Sequence, residues 1–281
     1  SIADRWILSK LQDTIVTFEK QISEYRFDMA TQTLYEFSRS DYCDWYLELS
    51  KPVLYNDDSS EAQKRGTRHT LVNVLEAIMR LLHPMMPFIT EEIWQRLKPM
   101  VKASSDSIML AAFPVVDEKL RDEKALADMK WLQSIIVAVR NIRGELNVSP
   151  GKPVKLLLKN ANSDDERCAV EYRGFLSSLA KLESIDFADE QLPPAATAIA
   201  GHLEILVPLA GLIDVAAEVE RLNKEIEKLE KDNMRLAGKL QNASFVERAP
   251  VAVVEKEREK LAQSESTIAK LKEQQVQLQN L

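Results

Sequence analysis

From Leu212 to Leu240 the apolar residues recur at alternating steps of three and four: Leu212, Val215, Val219, Leu222, Ile226, Leu229, then Asn233, Leu236 and Leu240. Such spacing over four heptads admits one local structure, a helix with a narrow apolar seam that a second helix must cover. Asn233 is the one polar residue at an a-type position. Residues 242–249 break the pattern, and Pro250 suits a first helical turn. A second seam follows through Val254, Leu261, Ile268, Leu271 and Leu278, with Glu257, Ser264 and Gln275 between them. Two helices of similar length around a short break predict an antiparallel coiled-coil hairpin over residues 211–281. Each arm of about 30 residues spans about 45 Å. The same seam also serves an oligomer or a scaffold protein. The polar seam positions disfavour a stable homodimer, so a monomer is expected.

Helical periodicity also governs the front of the chain. Ile7, Leu11, Ile15, Phe18 and Ile22 form one stripe. Tyr25-Arg26-Phe27-Asp28 interrupts it, and a second helix is predicted from Met29 to Ser50 through Leu34, Phe37, Trp45, Tyr46 and Leu49, closed by Pro52. A third helix uses Leu71, Val74, Leu75, Ile78 and Leu81 and stops before His83-Pro84. A fourth begins at Pro87 and uses Phe88, Ile89, Ile93, Trp94 and Leu97 until Pro99. Short connections between four helices predict an antiparallel bundle over residues 1–117. Only 7 glycines in 281 residues leave few positive-φ turns, which disfavours an all-β fold.

Residues 108–113 read as an extended connector. Leu126, Met129, Leu132, Ile136, Val139, Ile142 and Leu146 then give a long junction helix, ended by Asn147-Val148-Ser149-Pro150-Gly151. Beyond it, Val154–Leu158 is β-like, 165–182 helix-like, 185–187 short and apolar, and 196–200 with 203–207 flank Gly201-His202 like a hairpin. Residues 118–210 are therefore a junction helix plus a small α/β element. The predicted fold is mainly α: bundle, junction and coiled-coil arm.

The chemistry of catalysis is missing. His69, His83 and His202 are scattered, and no glycine-rich phosphate loop occurs. Glu91-Glu92 and Asp57-Asp58 read as a helix start and a solvated turn, and Cys43 as packed core. Cys43 and Cys168 define neither a disulfide framework nor a zinc site. No apolar run reaches the ~20 residues of a membrane span, and no basic-then-apolar leader is seen, so a cytoplasmic protein is expected. The net charge of −7 is unevenly spread: residues 118–160 hold 9 basic and 5 acidic side chains, while 161–213 hold 3 and 9. The chain reads as a binding module with one locally basic stretch.

Several stretches carry a resemblance. Asp4-Arg5-Trp6-Ile7-Leu8-Ser9-Lys10-Leu11, then Tyr42-Cys43-Asp44-Trp45-Tyr46-Leu47-Glu48, then the run from Leu82-His83-Pro84 to Glu92-Ile93-Trp94 occur in that order. Together they resemble the anticodon-binding domain of class I aminoacyl-tRNA synthetases for branched aliphatic amino acids. Arg140-Asn141-Ile142-Arg143 with Asn147 to Gly151, and the coiled-coil tail, are similar to the valyl branch in bacteria. The same region of an isoleucyl or leucyl enzyme is the alternative, although the Cys-rich zinc module usual in the isoleucine enzyme has no counterpart here.

The resemblance implies an ATP-dependent parent ligase that uses ATP and Mg2+ to attach valine to its tRNA. The residues in hand lack its ATP-binding signatures and editing domain, so no catalytic residue, cofactor or metal is expected in this region. The implied partner is valine-accepting tRNA, with no DNA and no membrane. Candidate RNA-binding residues are Phe18, Tyr25, Arg26 and Phe27 at one end of the bundle, with core packing the competing role for the aromatics. Arg5, Lys10 and Arg39 are candidate phosphate contacts; the family more often has Trp in the place of Arg39. Arg140 and Arg143, i and i+3 on one helix, align with Lys152 into a predicted basic ridge. On the arm, Arg248, Lys256, Arg258 and Lys260 are candidates, although Glu255, Glu257 and Glu259 interleave with the last three.

Overall fold

The structure, a computed structural model, describes residues 1–188, 195–209, 215–241 and 251–279. The first helix, α1 (Ile2–Ser23), buries Ile7, Leu11, Ile15 and Phe18 as the periodicity requires. It ends where Tyr25 turns left-handed at φ 59°. Next come α2 (Phe27–Glu36), a wide π-helical stretch (Phe37–Tyr46) and α3 (Leu47–Leu54).

This run is the predicted second helix, with two corrections. Pro52 lies inside α3 rather than after it, near the C-terminal end of the helix. Tyr42, not Trp45, joins Phe37 and Tyr46 in the core. The π stretch places more residues in each turn, so a stripe counted at 3.6 per turn drifts by one position. Cys43, expected in the core, is exposed; Cys168 is the buried cysteine. Tyr46 OH donates to Asp4 at 2.6 Å and Tyr42 OH to the Leu71 carbonyl at 3.0 Å, tying the stretch to its neighbours.

Helix α4 (Glu61–Leu82) starts on a capping box in which Ser60 and Gln63 bond reciprocally. Helix α5 (Pro87–Val101) continues through Pro99. Buried Glu76 joins them, accepting from Trp94 Nε1 at 2.8 Å and Arg80 at 2.7 Å. Glu91 accepts from Ser107 Oγ and the Ile108 amide, so this carboxylate pins the connector. Ile108–Leu110 forms one tight turn instead of an extended segment.

The junction helix α6 (Glu123–Glu145) is capped by Asp122, which accepts from the Ala125 amide at 2.8 Å. Its buried residues Met129, Leu132, Ile135, Ile136, Val139 and Ile142 form one broad apolar face. The helix packs on both α1 and the α/β element, so the hydrophobic core runs unbroken across residue 117. That element comprises β1 (Val154–Lys159), α7 (Ser163–Glu171), α8 (Arg173–Ala180), β2 (Leu182–Phe187), β3 (Ala195–Ala200) and β4 (Leu203–Pro208). The sheet order is β2-β1-β4-β3, with β1 and β2 parallel and the other pairs antiparallel. The predicted hairpin turns at Gly201, φ 63°. The predicted single helix over 165–182 is two, broken at Tyr172.

Helices α9 (Val215–Gln241) and α10 (Val251–Gln279) pack together through a seam that buries Ile226, Val254 and Ile268. Glu230 pairs with Lys272 at 2.7 Å and Lys239 with Glu257 at 3.4 Å. Rising numbers on one helix meet falling numbers on the other, so the hairpin is antiparallel. Among the described residues no helix is long and apolar enough to cross a membrane.

Candidate nucleic-acid interface

The end of the bundle carries two turns, α1–α2 and α4–α5, which meet where Thr31 Oγ1 stands 3.3 Å from Met85 Sδ. The left-handed backbone at Tyr25 projects its ring into solvent, 80% exposed. Phe27 is also exposed, and the two rings meet edge to face at 6.3 Å. Arg26 between them forms a bidentate pair with Asp28 at 3.1 and 3.2 Å, which holds the Asp28 carboxyl below its usual value.

On the second turn Phe88 is 90% exposed, flanked by exposed Met86 and Ile89. This corrects the expectation that Phe88 and Ile89 belong to the apolar stripe of α5. The turn itself is rigid. Buried Thr90 donates to the Met86 carbonyl at 2.8 Å and shares a hydrogen bond with His83 Nδ1 at 2.8 Å. Trp94 and Leu97, one and two turns on, fill the core. Three exposed rings at one end of a well-packed bundle are a candidate contact surface. Stacking of unpaired bases is what such rings supply.

Phe18 is not part of this surface. It is 3% exposed and stacks on Phe113 with centroids 6.0 Å apart, so core packing is its role. Arg5 and Lys10 lie toward the other end of α1, Arg5 about 30 Å along the axis from Tyr25. Arg5 bonds Asp122 at 2.9 Å, Lys10 pairs with Asp41 at 3.1 Å, and exposed Arg39 pairs with Asp44 at 3.5 Å. All three stay on the surface, each beside a carboxylate.

The predicted ridge is divided. Arg140 is exposed, lies over the Trp45 ring at 5.8 Å and donates to the Leu179 carbonyl at 3.1 Å. Arg143, three residues on, is 6% exposed and donates to the carbonyls of Ser149 and, at 2.7 Å, Lys152. Burial lowers its pKa, and its role is to fasten the turn after α6. The i, i+3 count did not anticipate that the chain folds back over Arg143. Lys152 remains exposed on that turn. On the arm Lys256, Arg258 and Lys260 are exposed, with Lys260 3.3 Å from Glu257. Arg248 lies outside the described residues.

Residues 4–158 match the family model of the anticodon-binding domain of tRNA ligases. Residues 214–279 match the valyl-tRNA synthetase tRNA-binding arm. The chain belongs to the class I aminoacyl-tRNA synthetases, valyl branch. It is the C-terminal, tRNA-binding region of a ligase that charges tRNA. The first match continues through α6 into β1, as does the core. Sequence reasoning passed over Phe88 as a binding residue. Its signal was position: directly after Pro87, at the first turn of α5.

Proposed function

We propose that this region selects valine-accepting tRNA by holding its anticodon stem and loop at the α1–α2/α4–α5 end of the bundle, while the arm leans on the outer corner of the same tRNA. Tyr25, Phe27 and Phe88 stack on unpaired loop bases, and Arg26 offers a guanidinium plane once it leaves Asp28. Arg5, Lys10, Arg39, Arg140 and Lys152 serve as phosphate contacts that position the RNA without reading sequence. The region acts as a monomer in the cytoplasm, and ATP and Mg2+ serve the parent enzyme's catalytic part. The three-part division into bundle, junction and arm (residues 1–117, 118–210 and 211–281) is the working division of labour.

The observation that carries the reading is the exposure of three aromatic rings on one rigid end of the domain that matches the anticodon-binding family. Binding of the chain to a panel of tRNAs, with and without Phe27→Ala and Phe88→Ala, tests it. Each substitution weakens valine tRNA by about 1–3 kcal/mol if a base stacks there, and narrows the gap to other tRNAs. Equal affinity for all tRNAs in the unaltered chain would overturn anticodon reading.

A further inference from the structure

Helix α9 holds six basic and six acidic residues, so its net charge is zero. The basic residues nevertheless gather on one face, with Glu220 and Glu227 along its edge. Taking Ile226, Asn233 and Leu240 as a positions, Lys224 and Lys231 fall at f, and Lys228 and Arg235 at c. These positions lie opposite the seam, and all four side chains are exposed. At 3.6 residues per turn the four cations sit within about 60° of one another and run about 17 Å along the axis. Lys224 has an exposed partner in Glu220 at 2.7 Å, and Arg235 stands 3.9 Å from Asp232. Such surface pairs are weak and give way to a competing anion. The outer face of α10 is different: Lys256 stands between Glu255 and Glu259, and Ala262, Gln263 and Ser266 follow.

A second observation marks the same face. The next f position after Lys231 is Gly238, in the interior of α9. Glycine weakens a helix interior relative to alanine, and nothing among the described residues requires it here: an added Cβ meets no described atom within 4 Å. A bare backbone on an outer face suits close approach of a partner. Exposed Met234 flanks the ridge with apolar surface.

We propose that the arm meets tRNA with the outer face of α9, through Lys224, Lys228, Lys231 and Arg235 on the phosphates of a duplex backbone, with the strand passing close over Gly238. The proposal rests on the arm's match to a tRNA-binding family and adds which of its two helices makes the contact. Cations one helical turn apart on a straight line track a phosphate backbone, and such contacts carry no sequence information. The ridge therefore raises affinity for cognate and non-cognate tRNA alike.

The test compares the whole chain with two variants, one in which Lys224, Lys228, Lys231 and Arg235 are changed to Gln, and one with Lys256→Gln, Arg258→Gln and Lys260→Gln. Glutamine keeps helix propensity, and circular dichroism checks that the arm still folds. The readout is the slope of log affinity for tRNA against log salt, to which each lost phosphate contact contributes about 0.7–0.9. The α9 variant should flatten the slope by about 3, and the α10 variant by less than 1. Gly238→Leu should weaken binding several-fold while helicity is kept or raised. An unchanged slope in the α9 variant, or an equal drop in the α10 variant, overturns the assignment. Phe88→Ala in the same assay lowers affinity at constant slope, so failure of base stacking at the bundle end is read separately. A chain that binds no tRNA defeats both.

Discussion

Arg167 and Asp128 face each other in a two-pronged pair, Nη1–Oδ2 at 3.0 Å and Nη2–Oδ1 at 2.8 Å, that joins α7 to α6. Lys124 at 2.7 Å and Tyr172 OH at 2.6 Å complete the shell around a carboxylate that is 5% exposed. The Arg167 bond first, with Lys124 and Tyr172 adding to it against the opposing effect of burial, holds the Asp128 carboxyl far below its ordinary value. A depressed folded pKa stabilises the fold above the unfolded value of about 4, and that contribution is lost as pH falls below it. Asp128→Asn should therefore flatten the acid limb of the stability curve. Asp128→Ala should lower stability by about 2–3 kcal/mol, toward the low end for a broken ion pair because Arg167 is partly exposed and can rehydrate. Urea unfolding at pH 7 and pH 3 measures both; a constant difference between variant and parent across that range refutes the coupling.

Arg143 and Arg140 should separate in two assays. Arg143→Ala removes the donor that gathers the Ser149 and Lys152 carbonyls and should destabilise by about 2 kcal/mol, with no change in the salt slope of tRNA binding. Arg140→Ala should leave stability within about 1 kcal/mol and reduce the slope by less than one unit. If instead Arg143→Ala flattens the slope while the protein stays folded, the buried fastening role is wrong.

Tyr25 offers a substitution in which stability and binding move apart. At φ 59° a residue with a Cβ is strained, and Tyr25→Gly relieves this, raising stability by up to about 1 kcal/mol. The same change deletes the exposed ring and should weaken tRNA. Thermal denaturation and a binding titration on one sample decide it; loss of both stability and binding would show that the ring supports the fold.

Asn233 leaves its Oδ1 buried without a hydrogen-bond partner among the described residues. Asn233→Leu should raise the melting temperature of the arm, gaining about 1–2 kcal/mol. Sedimentation of the same variant asks what the asparagine is for. A shift from monomer to dimer would identify it as the residue that keeps the seam intramolecular, whereas a lower melting temperature would contradict the unsatisfied environment.

Periodicity was enough for the arm. A 3–4 repeat forces a seam, and a break between two seams forces a hairpin, because the pattern is local and self-complementary. It also placed α1, α4, α6 and the β3–β4 hairpin, and it excluded most β architectures through the scarcity of glycine. Exposure at single positions was decided by what packs against them. Phe88 looks apolar and regular in sequence yet is 90% exposed, while Thr90, Trp94 and Leu97 of the same helix are buried. Arg143 looks like a surface cation, but the turn after α6 folds over it. Tyr42 replaces Trp45 inside because the π stretch adds residues to each turn. The parallel pairing of β1 with β2 spans two helices that no short-range pattern encodes.

The sequence by itself thus determined the helices, the hairpin and the family resemblance, all of which are written in spacings of a few residues. Only the tertiary structure decided which rings and cations remain in water. Burial is a property of neighbours brought together from distant parts of the chain.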